Sequence, residues 1–207
     1  LQAFKDFWAN PGFGIEGEPG ITTYFQREDA DFFLLDNRYH RSPNQSKSDD
    51  KTILGSTQKQ WLKDNLLSSK ATFKFVAVGG QFLNTATKYE NFANYAKERQ
   101  ELINFIQQNN IKNVIFLTGD RHHSEISKLA KEGSPTIYDI TSSPLTSGAG
   151  NSAKYETNAL QVEGSLIMGK RNFTALSLEG ELKNRKLTIT YFDKEGNKLY
   201  TYTIEAE

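Results

Sequence analysis

Residues Asn113–Ser124 read N-V-I-F-L-T-G-D-R-H-H-S, placing a carboxylate, a guanidinium and two imidazoles directly after Val114, Ile115, Phe116 and Leu117. An unbroken series of β-branched, aromatic and aliphatic side chains marks a strand buried on both faces. The loop past the carboxyl end of such a strand is where open α/β sheets collect ligands. Asp120 and His122 are two apart, so an extended backbone points both the same way and turns His123 to the other side. Carboxylate oxygen and imidazole nitrogen are donors suited to Zn, Fe, Mn or Ca. A plainer reading stays open, in which Asp120 caps a turn and the histidines bind backbone groups. His123 is the candidate for a supporting or substrate-facing role.

A second group, Leu35-Asp36-Asn37-Arg38-Tyr39-His40-Arg41, also follows an apolar run. Its arginines could clamp a phosphate bidentately; the alternative is an Asp36–arginine ion pair that ties down the loop. Gly79-Gly80-Gln81 and Ser142-Ser143-Pro144 stand at further strand ends, where turn chemistry explains them equally well. Glu98-Arg99 reads as a solvated or ion-paired helix face. No G-x-S-x-G motif occurs, which argues against an acyl hydrolase.

The elements that must hold these residues follow from periodicity. Leu1–Trp8 reads as an amphipathic helix and Asn10–Gly20 as a loop. Ile21–Gln26 and Ala30–Leu35 read as strands, and Ser42–Lys51 as an exposed, mobile loop. Thr57 starts a helix with Gln60 at capping-box spacing, and Trp61, Leu62 and Leu66 form its inner face. Thr72–Val78 is a strand. Phe92, Tyr95, Ala96, Leu102, Ile103 and Ile106 recur at helical steps up to Asn109-Asn110. Thr136–Thr141 is a further strand and Ser142–Ser152 a loop. Phe173–Leu178, Lys186–Phe192 and Lys198–Ile204 alternate as antiparallel strands, the last two joined by a turn at Lys194–Asn197. Strand–helix–strand–helix–strand in the middle predicts parallel pairing with right-handed crossovers. The expected fold class is α/β: a mixed sheet, or two sheets face to face with helices outside, in a single domain over 1–207 whose terminal antiparallel strands occupy 172–207.

Composition narrows the options. The 25 basic and 25 acidic side chains cancel, so no global field draws in nucleic acid or an anionic membrane. No apolar run approaches the ~18 residues of a membrane span. Without cysteine there are neither disulfides nor thiolate metal sites. The chain opens at Leu1 inside a helical pattern, which leads us to expect a preceding portion.

L-L-D-N-R-Y-H-R, I-L-G-S-T-Q-K-Q-W-L, N-Y-A-K-E-R-Q-E-L and V-I-F-L-T-G-D-R-H-H-S, in that order, resemble the second half of the alkaline phosphatase D family among the calcineurin-like metallophosphoesterases. The resemblance runs from about Ile21 to Ser147. It implies a calcineurin-like sandwich of two β-sheets flanked by helices, here incomplete because its N-terminal part is missing. It further implies a metal-dependent phosphoester hydrolase with two divalent or trivalent ions (Ca, Fe, Zn or Mn) and a metal-activated water. The G-D-x-H motif falls on Gly119-Asp120-Arg121-His122 and carries over Asp120 and His122 as ligands. Arg121 stands where relatives often have a small apolar residue. The D-x-R-x-x-R motif falls on Asp36, Arg38 and Arg41, with Arg38 and Arg41 expected at the substrate and Arg38 or His123 assisting the leaving group. The remaining ligands belong upstream of Leu1, so this chain alone is expected to be inactive and to need that portion. The resemblance implies a small phosphate-ester substrate and a periplasmic or extracellular location for the whole protein. A non-catalytic scaffold domain of the same fold, and a phosphodiesterase or phospholipase of the same family, are the alternatives.

Overall fold

Two strand–helix–strand units dominate the computed structural model, which describes residues 1–182 and 184–207. After a short helix α1 (Gln2–Phe7), strands β1 (Thr23–Arg27) and β2 (Ala30–Leu34) form an antiparallel pair. Helix α2 (Ser56–Ser68) returns the chain to β3 (Phe73–Ala77), and α3 (Ala96–Gln108) returns it to β4 (Val114–Thr118). β5 (Glu125–Lys131) and β6 (Ser134–Thr141) follow as a hairpin. The resulting six-stranded sheet has the order β1-β2-β3-β4-β6-β5, with β2, β3, β4 and β6 parallel. The last strands, β7 (Asn172–Glu179), β8 (Lys186–Asp193) and β9 (Lys198–Glu205), form a separate antiparallel sheet.

Alternation along β4 fastens three layers together. Val114 and Phe116 face the helices, in a cluster with Phe33, Val76, Leu62, Leu66, Leu102, Ile103 and Ile106. Ile115 faces the three-stranded sheet, meeting Phe75, Ile140, Leu187, Ile189 and Tyr191. Burying each such side chain is worth roughly 1.5–3 kcal/mol, so both faces of β4 hold it in place. The two long helices share one face of the larger sheet, and α1 buries none of its residues. Helices outside both sheets, as expected, are therefore realised on one side.

Several expectations need correction. The capping box does not form: α2 starts at Ser56, so Thr57 already lies inside the helix and its hydroxyl donates to Glu18, while Gln60 donates to Asp64. The pattern from Phe92 begins as a 3-10 turn, Phe92–Tyr95, before α3 proper. β5 has no sequence-predicted counterpart, because its large apolar residues Ile126 and Leu129 are three apart and its register shifts between Leu129 and Lys131. Glu98 and Arg99 are not a solvated face. Glu98 is buried and accepts from the backbone N–H groups of Ile53 and Leu54, and Arg99 donates to the Phe82 and Leu83 carbonyls at 2.7 Å each.

Gln58 performs a similar service on α2. Its side-chain oxygen accepts from Asp36 N–H and the Thr22 hydroxyl, and its nitrogen donates to the Asp36 and Leu54 carbonyls. Asp36 in turn accepts from the N–H groups of Arg38, Tyr39 and Ile21. Replacing Gln58 by Leu preserves volume but strands buried backbone groups, and should cost about 3 kcal/mol of stability. Denaturant unfolding measures the loss, and faster amide exchange over residues 36–41 should accompany it; a loss below about 1 kcal/mol would mean that the Asp36 turn stands without Gln58.

Candidate functional site

Four parallel strands end on one edge of the sheet, and their loops meet there. β2 runs into Asp36–Arg41, β3 into Gly79–Asn84, β4 into Gly119–His123 and β6 into Ser142-Ser143. The glycines permit the approach. A Cβ on Gly79 would lie 2.7 Å from Asn37 Nδ2, and one on Gly80 would lie 2.9 Å from the Glu90 carbonyl oxygen. Gly119 N–H donates to the Gly79 carbonyl, joining the β3 and β4 loops.

A cavity of about 500 Å³ opens at this edge, lined by Asn44, Tyr89, Glu90, Asp120, Arg121, His122, Gly150 and Ser152. Asp120 and His122 therefore share one cavity, as the spacing suggested, but by a different backbone. Both adopt left-handed conformations, at φ 66° and 57°, where an extended chain was expected. Ser143 Oγ accepts from His122 N–H, and Gly150 N–H donates to the His122 carbonyl. The imidazole of His122 is exposed, with Nε2 3.3 Å from Ser147 Oγ.

The arginines of the β2 loop do not pair with Asp36, whose oxygens are taken by backbone N–H groups. Both go to Glu90 instead: Arg38 at 2.9 Å and Arg41 at 3.0 Å. Arg38 also reaches to 4.0 Å from Asp120, with its side chain 56% exposed. The Arg41 guanidinium, and then that of Arg38, holds the Glu90 carboxyl below its ordinary range despite partial burial.

A family model for PhoD-like phosphatases matches residues 24–189. The chain belongs to the PhoD-like phosphatase family. Alkaline phosphatase D of Bacillus subtilis (strain 168) is 30% identical over 157 residues, which is 64% of this chain and 27% of that protein. A solved structure described as "Structure of PhoD" aligns with a TM-score of 0.67 at 22% identity, covering 98% of this chain and 48% of that one, a likeness of fold. This PhoD-like chain thus spans about a quarter of the curated relative's length and about half of the solved chain.

His123 does not line the cavity. It is buried, with Nδ1 3.0 Å from the Arg121 carbonyl and Nε2 3.6 Å from Glu125 Oε1, a distance too long for a hydrogen bond. Glu125 accepts from Gln81 and Asn84 at 2.7 and 2.6 Å. Burial alone would raise the Glu125 carboxyl, but His123 and Asn84 outweigh it and leave the group below its usual range. Behind this network lies Asp139, fully enclosed. It accepts from Phe82 and Leu83 N–H and from the Thr118 hydroxyl. Sequence reading missed Glu90, Glu125, Asp139 and Glu156, because single acids in ordinary polar stretches give no local signal. Only Gln81, beside Gly79-Gly80, lay within a flagged motif.

Burial pushes the Asp139 carboxyl up from 3.8 to about 6. Between these values the folded state binds more protons than the unfolded state, so stability falls as pH rises through this window. The lost stability amounts to roughly 3 kcal/mol by pH 7. Asp139→Asn imitates the protonated acid and should flatten this pH dependence. Asp139→Leu should cost about 3 kcal/mol at pH 5, because two buried N–H groups lose their acceptor. Urea unfolding at pH 4 to 7 measures both, and an unchanged slope in Asp139→Asn would assign the pH dependence elsewhere.

Proposed function

We propose that this chain is the C-terminal part of the catalytic domain of a metal-dependent phosphoester hydrolase acting on small phosphate esters. One observation carries the reading. In a PhoD-like chain, Asp120 and His122 line a single cavity at the end of β4, and the Arg38 guanidinium stands 4.0 Å from the Asp120 carboxylate. An exposed carboxylate and an exposed imidazole fit divalent or trivalent ions such as Ca, Fe, Zn or Mn. Among the described residues no three His, Cys, Asp or Glu side chains converge as a metal set. Two donors are then this chain's share of a set that needs about four or more. When bound, such an ion polarises a phosphoryl oxygen and lowers the pKa of water.

The chain's own residues have distinct parts in this reading. Arg38, anchored to Glu90 and otherwise exposed, offers its free N–H groups to non-bridging phosphoryl oxygens. Arg41 is less exposed; it fixes Glu90 and thereby Arg38. His123 supports the loop from below through the Arg121 carbonyl and does not touch substrate. The cavity's volume suits a small ester, and the Tyr89 ring at its wall offers an apolar face to the leaving group. A second reading, a binding or scaffold domain of the same fold, draws on the lack of a third converging donor among the described residues.

Together with its complete polypeptide, the protein should hydrolyse p-nitrophenyl phosphate or the corresponding diester with Ca²⁺, Mn²⁺, Zn²⁺ or Fe³⁺, and this chain alone should turn over neither. Partners of ligands typically matter 10–100-fold, so Asp120→Ala and His122→Ala should each lower kcat/KM by about 100-fold or more. Near-normal turnover in either variant would refute the ligand assignment. Failure of the complete protein on every ester would favour the scaffold reading.

A further inference from the structure

Asp120 and His122 both sit in the left-handed region, with Arg121 between them. Residues other than glycine adopt that region at a cost, and keep it only where the surroundings leave no alternative. Arg121 supplies the constraint. Its side chain is 4% exposed; Nη2 donates to Glu156 Oε2 at 2.5 Å and Nη1 donates to Gln81 Oε1 at 2.6 Å. The Tyr89 ring lies over the guanidinium, 5.4 Å from its centroid. Gln81 passes the contact on to Glu125 and Thr141. Arg121 is therefore tied to the loop after β3, to β5, to the end of β6, and to the segment after the 3-10 turn at Ser152–Tyr155.

Stability is a poor reason for this arrangement. Desolvation consumes most of the attraction in a buried ion pair. The Arg121 Nε is also buried with no partner among the described residues, a further cost. An unsatisfied donor and a buried ion pair thus coincide on the one residue that separates the two candidate ligands, and the left-handed backbone lies on either side of it.

We infer that Arg121, locked by Glu156 and Gln81, is a positioning residue that sets the left-handed backbone at Asp120 and His122 and directs both donors into one cavity. The inference rests on the ligand role proposed above for those two residues. Loosening the guanidinium frees the loop to relax toward ordinary backbone angles, which separates the donors while leaving the sheet intact.

Paramagnetic broadening by Mn²⁺ tests this in solution, with Mn²⁺ alone as the probe. In the wild-type protein, amide signals of residues 119–123 should broaden on titration, and in Asp120→Ala they should not. Glu156→Gln keeps an acceptor but removes the charge, and Arg121→Lys reaches one partner only. Both should retain the chemical shifts of β3, β4 and β6, yet need about tenfold more Mn²⁺ for equal broadening, in line with the effect of groups that orient ligands. An unchanged Mn²⁺ requirement in both variants, with Asp120→Ala still silent, overturns the positioning role and leaves the ligand assignment standing. Broadening that persists in Asp120→Ala, or is missing from the wild type, overturns both.

Discussion

Asp139 lies in β6 without access to water, and the segment after β3 is built around it. That segment leaves the sheet, so its backbone groups lose strand partners and must find others. Asp139 accepts the N–H groups of Phe82 and Leu83, and Arg99 supplies donors to the carbonyls of the same two residues. With four polar groups satisfied, Phe82 stacks on Phe116 of β4, ring centroids 3.7 Å apart, and fills the core beneath the site. Gln81, one residue earlier, is thereby held between Arg121 and Glu125. A buried carboxylate outside the cavity's lining thus determines where the cavity's own loop is fastened.

Strand direction provides the second constraint. Because β2, β3, β4 and β6 run parallel and lie side by side, every loop that follows them emerges on the same edge. Arg38, Gln81, Asp120 and Ser143 are distant in sequence and neighbours in space for that reason alone. The crossover helices make parallel pairing possible, and their apolar faces pack on the same side of the sheet. The three-stranded sheet covers the other side, where the Tyr191 hydroxyl donates to the Glu125 and Thr141 carbonyls and pins β5 against β6 at the base of the site.

Elements with a strong period were legible in the sequence. β4, α3 and the terminal meander appear where Val114–Leu117, Leu102–Ile106 and Lys186–Ile204 place their apolar residues, because burial enforces those periods. β5 was illegible because Ile126 and Leu129, three apart, fall on opposite faces of the sheet, one against each core cluster, and no alternation announces them. At the site, Asp120 and His122, singled out by type and spacing, do line one cavity, although the backbone that presents them is left-handed. The support was hidden for a different reason. Glu98, Arg99 and Gln58 look like surface residues of a helix, and their burial depends on carbonyl and N–H groups 16 to 45 positions away. Local patterns hold no record of such partners. Asp36 shows the same limit: next to two arginines it suggested an ion pair, yet backbone N–H groups of Arg38 and Tyr39 in its own turn took one oxygen and that of the distant Ile21 took the other.

Charge around the cavity is arranged so that Asp120 stays available. Arg38 faces two carboxylates, Glu90 at 2.9 Å and Asp120 at 4.0 Å, and both its own side chain and that of Asp120 are more than half exposed. An exposed pair at that longer distance is worth well under ~1 kcal/mol. A cation arriving at Asp120 therefore displaces little, and the nearer contact to Glu90 keeps Arg38 from being driven away. Arg41 strengthens this by holding Glu90 from the other side, which keeps that carboxyl ionised at lower pH than usual. Two arginines sharing one acid leave a net positive charge beside the Asp120 carboxylate. The proposed reading draws on this combination: a carboxylate left free for an ion, and guanidinium N–H groups left over for a phosphoryl anion.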